Sequence, residues 1–303
     1  MLIDRFLKYI SFECNLSKLT AKAYETDLRQ FAQFLATAGD GGEIAKAGQA
    51  NVRAWVMWLS RHGETQSTVR RKIQALRAFY RWLLQRGSIE KSPVANLELA
   101  RLPKRLPSFM REPTMNMVLD RPIDDNDFEA VRNRLMLLML YLTGMRRAEL
   151  IGLLDSNVDT TICQLKVHGK RDKERIIPFG DELAASIARY RRLREEQVGK
   201  GADSFFVTVA GRPVYASLVY RVVHEALEQA GATGKLSPHV LRHSFASSML
   251  NHGAELNAVK ELLGHESLAA TQVYTHVTFS ELKHSYKLAH PRALKKKEAN
   301  HGS

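Results

Sequence analysis

Three stretches of this 303-residue sequence carry residue types and spacings suited to an anion. The first is Thr143-Gly-Met-Arg146-Arg-Ala-Glu149-Leu150. The second is Ser237-Pro-His239-Val-Leu-Arg242-His-Ser-Phe-Ala246. The third is Leu262-Leu-Gly-His265, with Val273-Tyr274-Thr-His276 beyond it. Ser237 and Pro238 are helix-start residues. His239 and Arg242, three residues apart, project from one face of the first turn. A helix N-terminus favours negative charge through its free N–H groups and its dipole, so two cationic side chains there suit a phosphate. Arginine suits it best, because its planar fork binds oxyanions in pairs of hydrogen bonds. Arg146 follows a Thr-Gly turn at another helix start, with Glu149 placed to hold a guanidinium.

Each signal alone has a plainer reading. A lone His-x-x-Arg is ordinary surface charge, and Arg146 with Glu149 is an ion pair. Lys170 is a solvated lysine at a turn, and Tyr274 is a core or interface tyrosine. Eleven histidines raise the question of a metal, and His239, His243 and His265 lie close in sequence. No HExxH word occurs and basic residues surround the pair, so no metal site is expected. No Walker P-loop is present, so no nucleotide cofactor is expected either.

The elements that must hold these residues fall into two groups. Tyr24, Leu28, Phe31 and Leu35 recur at helical spacing, with Ser17 or Thr20 as the cap and Gly39 past the end. Val52, Trp55, Val56 and Leu59 make a second stripe. Val69, Ile73, Leu76, Tyr80 and Leu83 make a third, closed by Gly87. Around that third helix lie Arg70, Arg71, Arg77 and Arg81, a cluster suited to the phosphates of nucleic acid. Residues 101–113 carry three prolines and several basic residues, among them Lys104 and Arg105. This predicts a linker able to lie along DNA.

Beyond it the pattern predicts a capped helix from Asp124 to Tyr141, a turn at Thr143-Gly144 and a short helix from Arg147. Gln164–His168 and Glu174–Pro178 flank Gly169-Lys-Arg-Asp172 as a β-hairpin with Lys170 at its tip. A helix follows over 181–197, then a strand over Phe205–Val209, then helices to about 289. The expected domains are 1–100 (helical), 101–113 (linker), 114–292 (mixed) and 293–303 (a disordered tail).

Net charge is +13 with a sequence pI of 9.8, which suits a polyanionic partner. Residues 1–112 hold 19 Lys+Arg against 10 Asp+Glu, so most of the excess sits in the first third. No apolar run approaches the ~20 residues of a membrane span, and no secretory signal is evident at the start. Cys14 and Cys163 are the only cysteines, which fits a reducing cytoplasm.

Taken together, Arg146, Lys170, His239-x-x-Arg242, His265 and Tyr274 resemble, in order and spacing, the tyrosine recombinase (phage integrase) family. The flanking words TGMRRAEL, KVHGKRDKERIIPFG, SPHVLRHSFAS and LLGHESLAATQVYTHV match as well, and LAHPRA is similar to the Xer branch. The resemblance spans residues 1–292. It implies a mainly α fold with a small β-sheet, built from an N-terminal SAM-like core-binding domain and a C-terminal mixed α/β catalytic domain. It implies that Tyr274 attacks the scissile phosphate to give a 3′-phosphotyrosine and a free 5′-hydroxyl. Arg146 and Arg242 would hold the non-bridging oxygens, and Lys170 would protonate the leaving oxygen. His239 would be the acid/base group, His265 a second phosphate ligand and Glu149 a supporting carboxylate. No metal or cofactor is implied, since the arginines supply the positive charge.

The implied partners are double-stranded DNA and a homo- or hetero-tetramer with a paralogous recombinase on two sites, at the nucleoid and away from any membrane. The short helix after Tyr274, with Phe279, Leu282 and Tyr286 in its apolar stripe, would dock on the next subunit or fold back on its own. The short chain, without an arm-binding domain, favours a Xer recombinase resolving chromosome dimers at a dif-like site over a mobile-element integrase. A type IB topoisomerase also forms a 3′-phosphotyrosine. A catalytically silent DNA-binding protein is the alternative of another class, against which intact Arg146, Lys170, Arg242 and Tyr274 argue.

Overall fold

The computed structural model describes residues 2–38, 41–99, 109–169, 174–199, 203–264 and 279–292. It divides into two compact units, residues 1–105 and 106–303.

The first unit holds α1 (Leu2–Phe12), α2 (Lys18–Thr37), α3 (Gln49–Arg61) and α4 (Gln66–Gln85). Ser17 caps α2, its hydroxyl accepting the amide of Thr20 at 3.1 Å, and Thr65 does the same for α4 through Thr68 at 3.3 Å. Such caps satisfy N–H groups that have no partner inside the helix. The predicted stripes become the core: Leu28, Phe31, Trp55, Ile73, Leu76 and Leu83 are fully buried. Phe6 of α1 meets Phe79 of α4 edge to face at 5.4 Å. Tyr80 reaches out of this core to donate its hydroxyl to the carbonyl of Ile44 at 2.7 Å.

The second unit is built around α6 (Phe128–Thr143), whose residues from Leu135 to Thr143 are all buried. A helix apolar on every side must be covered on every side. Around it pack α5 (Glu112–Leu119), α7 (Arg147–Ile151), α8 (Asp181–Val198), α9 (Ala216–Gln229) and α10 (Pro238–Asn251). The helix starts at Phe128, later than the sequence suggests, because Asp127 accepts the amides of Glu129 and Ala130 and so sets the cap. A three-stranded antiparallel sheet lies beside the helices, in the order β1 (Val158–Asp159), β2 (Gln164–His168), β3 (Glu174–Pro178). The expected hairpin is β2 and β3, with Val167 opposite Arg175 and Leu165 opposite Ile177. Then come α11 (Leu256–Leu263) and α12 (Phe279–Ala289). The segment read as linker ends inside α5, where Pro113 stands in the first turn and its missing N–H costs no helical bond.

The strand expected over Phe205–Val209 does not form. Its backbone pairs piecemeal instead: Val207 bridges to Pro213, the amide of Phe205 donates to the carbonyl of Leu153 at 2.8 Å, and that of Thr208 to the carbonyl of Arg212 at 2.7 Å. The hydroxyl of Tyr190 takes the amide of Val207 at 3.0 Å and donates to the carbonyl of Phe205 at 3.1 Å. A side chain thus satisfies two of the backbone groups that a neighbouring strand would otherwise pair. Phe205, Phe206 and Val207 are nonetheless fully covered.

Gly144 ends α6 in the left-handed region, with φ of 61°. A Cβ there would lie 2.4 Å from Cδ1 of Phe245 and 2.8 Å from Cδ2 of Leu263. Gly144→Ala therefore combines left-handed strain with overpacking, and is expected to cost about 2–4 kcal/mol. A urea titration that follows the second unit checks this, and an unchanged midpoint would mean that the turn relaxes freely.

Candidate active site

Arg146 is the N-cap residue of α7. Its backbone amide donates to Oε2 of Glu149 at 2.7 Å, and its Nη1 donates to Oε1 of the same carboxylate at 2.7 Å. The two-point hold follows from the i, i+3 spacing at a helix start, where a glutamate reaches back to the cap residue. Arg242, one turn into α10, is only 7% exposed. Its Nη1 donates to the carbonyl of Gly144 and its Nη2 to that of Leu263, each at 2.6 Å.

A third guanidinium completes the group. Arg175, on β3, sends Nη1 and Nη2 to the two oxygens of Glu149 at 2.9 and 2.8 Å, and Nε to the carbonyl of Leu262 at 2.7 Å. Arg146 Nη2 donates to the carbonyl of Gly264 at 2.9 Å. The carbonyls of Leu262, Leu263 and Gly264 therefore take one arginine each, from three different elements. These are carbonyls at a helix C-terminus, which have no acceptor role within the helix and favour cations.

The electrostatics follow from three cations around one buried carboxylate. Burial works to raise the Glu149 pKa, but hydrogen bonds and charge from Arg175 and Arg146 outweigh it and hold the carboxyl below its ordinary range. Burial, then the charges of Arg146 and Arg175, push Arg242 down to about 10, still protonated at neutral pH. His239 sits exposed on the first turn of α10. Partial desolvation of its ring, then the positive charges of Lys235, Arg147, His243 and Arg242, lower its pKa. That favours a neutral imidazole, able to accept a proton.

Of the residues selected from sequence, the structure brings Arg146, Glu149 and Arg242 together at the end of α11 and places His239 on the helix that carries Arg242. Lys170, His265 and Tyr274 lie outside the described residues. Arg175 was missed. The strand itself gave little signal; the pairing shows that Arg175 and Ile177 share a face with buried Val167 and Leu165, so a charged residue occupies a core-facing position. Among the described residues, no group of three or more His, Cys, Asp or Glu could hold a metal ion.

In the first unit Arg70, Arg71 and Arg77 of α4 have protein partners. Arg70 donates to the carbonyl of Leu99 at 3.1 Å and Arg77 to that of Leu97 at 3.0 Å, holding the end of the unit against the helix. Arg71 pairs with the fully buried Asp27, which Lys72 also approaches at 3.7 Å. Arg81 is exposed on the same helix. Lys104 and Arg105 lie outside the described residues.

Residues 109–281 match the model of the phage integrase family, and residues 3–87 match its N-terminal SAM-like domain. The chain belongs to the phage integrase family. Among its relatives, the tyrosine recombinase XerC of Chlorobaculum tepidum is 36% identical, over 96% of this chain and 94% of that protein. The tyrosine recombinase XerC of Listeria innocua is 37% identical, over 95% and 97%. Solved structures of the family share the fold. The XerH site-specific recombinase bound to difH substrate, a pre-cleavage complex, aligns with a TM-score of 0.71 at 21% identity, covering 94% of each chain. A lambda integrase (75-356) dimer bound to a COC' core site aligns at 0.67 and 15% identity, covering 90% of this chain and 98% of that one. The SAM-like helical domain and the mainly helical fold with a small sheet stand as the sequence suggests.

Proposed function

We propose that this protein is a Xer-type site-specific recombinase that cleaves and rejoins duplex DNA through a 3′-phosphotyrosine at Tyr274. The reading is carried by the meeting of Arg146 and Arg242 on one carboxylate-braced site at the end of α11, in a chain that aligns along nearly its whole length with XerC recombinases. Attack on a phosphodiester builds negative charge on the phosphorus oxygens, and fixed guanidiniums stabilise it without reorganising. In the reaction the Tyr274 oxygen bonds to phosphorus while the bond to the 5′-oxygen breaks. The phenol proton passes to a base, for which His239 is suited by its lowered pKa. Lys170 gives a proton to the leaving 5′-oxygen. Religation runs the same steps backwards with a new 5′-hydroxyl, exchanging one phosphate ester for another of similar energy, so no nucleotide is consumed.

The biological reading is resolution of chromosome dimers at a dif-like site. It involves a homo- or hetero-tetramer with a paralogous recombinase on two DNA sites, in the cytoplasm at the nucleoid. No described helix is long and apolar enough to cross a membrane. Relatives named as tyrosine recombinases and neighbours solved on DNA support this reading, among the latter a lambda integrase tetramer bound to a Holliday junction.

A nicked suicide duplex tests the chemistry. The protein is expected to trap a covalent adduct on it, in EDTA and without nucleotide, because the arginines supply the positive charge. Binding without adduct would leave a silent DNA-binding protein. Adduct that vanishes in EDTA and returns with a divalent ion would make the reaction metal-dependent. Relaxation of a supercoiled circle without pairing of two sites would indicate a topoisomerase.

A further inference from the structure

The third guanidinium of the site has no role in the chemistry described above. Its side chain is 12% exposed, against 3% for the Glu149 it grips. Both oxygens of Glu149 are shared, Oε1 between Arg146 Nη1 and Arg175 Nη1, Oε2 between the Arg146 amide and Arg175 Nη2. Arg175 thereby fixes the carboxylate that fixes Arg146. It also lies across the end of α11. Its Nε holds the carbonyl of Leu262. A Cβ on Gly264, which has φ of 63°, would come to 3.2 Å from Arg175 Cδ.

We propose that Arg175 is a positioning residue for strand cleavage: its fork ties Glu149, and through it Arg146, to the C-terminal turn of α11. The inference rests on the recombinase reading given above.

Charge alone does not explain Arg175. A third cation beside Arg146 and Arg242 repels both, and its field is among the causes that lower the Arg242 pKa. What Arg175 supplies is geometry. Two parallel N–H bonds set the plane of the carboxylate, and the third sets its distance from the helix end. β3 can deliver this because Arg175 projects inward opposite Val167, at a rigid sheet position. A site supported by a strand is held more tightly than one supported by a loop. Displacement of a reacting group by about 1 Å costs on the order of 100-fold in rate.

Arg175→Lys separates charge from fork, and Arg175→Ala removes both. For each, single-turnover cleavage of a nicked duplex at saturating protein is measured, together with DNA affinity, thermal unfolding and amide hydrogen exchange in α11. Arg175→Lys is expected to cleave roughly 100-fold more slowly, with DNA affinity and unfolding near wild type. The last turn of α11 is expected to exchange faster, because local opening there loses an anchor. Cleavage within a few-fold of wild type in Arg175→Lys would overturn the proposal, since charge would then suffice. Affinity, unfolding and cleavage falling together in both variants would also overturn it, as a purely structural effect. Unchanged exchange in α11 would overturn the tie itself. If the wild-type protein forms no adduct, the recombinase reading fails, and the exchange measurement still decides whether Arg175 anchors the helix end.

Discussion

Tyr274→Phe is expected to bind its DNA site with affinity within about two-fold of wild type and to form no covalent adduct. The two outcomes separate because they depend on different groups. Affinity for duplex DNA comes largely from lysine and arginine contacts to phosphates, and the substitution touches none of them. Adduct formation needs an oxygen that can become a phosphate ester, and phenylalanine has none. A phenol of ordinary pKa near ~10 attacks at neutral pH only with a base or a positive field beside it. The lowered pKa of His239 and the arginine cluster fit those two needs. Denaturing gels of protein mixed with a nicked, end-labelled duplex give the readout. Wild-type amounts of adduct in the phenylalanine variant would move the nucleophile to another residue.

Arg242→Ala is expected to slow single-turnover cleavage by about 10²–10³, the usual cost of losing one preorganised donor to the transition state. The structure explains why the donor counts as preorganised. The Arg242 guanidinium is nearly buried and already held by the carbonyls of Gly144 and Leu263, so it need not be ordered when the phosphate arrives. Removing it also strands those two carbonyls, so some loss of stability is expected alongside. Arg242→Lys controls for that, keeping a positive charge at the site without the fork. Stopped-flow or quench measurements at saturating protein, read beside thermal unfolding, distinguish the two effects. Cleavage within a few-fold of wild type in a folded Arg242→Ala protein would place this arginine away from the phosphate.

Three helices of the first unit, α2 to α4, were legible because their apolar residues recur at helical spacing and face a single core, whereas α1 was not read from the sequence. α6 was legible for a different reason, since its second half, Leu135 to Leu142, is an unbroken apolar run. The failure at Phe205–Val209 came from a tertiary partner. A run of apolar, β-branched residues reads as a strand, and nothing local reveals that Tyr190, fifteen residues before Phe205, will supply two of its hydrogen bonds. β1 was too short to leave a pattern. In the site, Arg146, Glu149 and Arg242 were legible because each stands at a helix start, where spacing alone predicts a shared face. Arg175 escaped because a strand that alternates Glu, Arg, Ile, Ile reads as half-exposed. Only the pairing with Val167 and Leu165 shows which face is inside. The arginines of α4 were located correctly on their helix, but the hydrogen bonds of Arg70 and Arg77 run to backbone far ahead in sequence, which local spacing does not reveal.

The last described helix covers apolar surface of its own unit. α12 lies on its own unit, against α10, α11 and β3, with Leu282, Tyr286 and Ala289 buried. His290 stacks on Phe245 and Tyr286 at 5.6 and 5.3 Å. Beyond it Arg292 binds Glu182, Asp120 and Asn116. Peeling this helix off into water would expose apolar side chains at roughly 1.5–3 kcal/mol each, so it does not leave alone. Donation to a neighbour would be nearly isoenergetic only if another copy's helix filled the vacated groove, as in a closed ring of like contacts. Protein concentration along the DNA would then govern the exchange, and a lone subunit would keep its sticky surface covered.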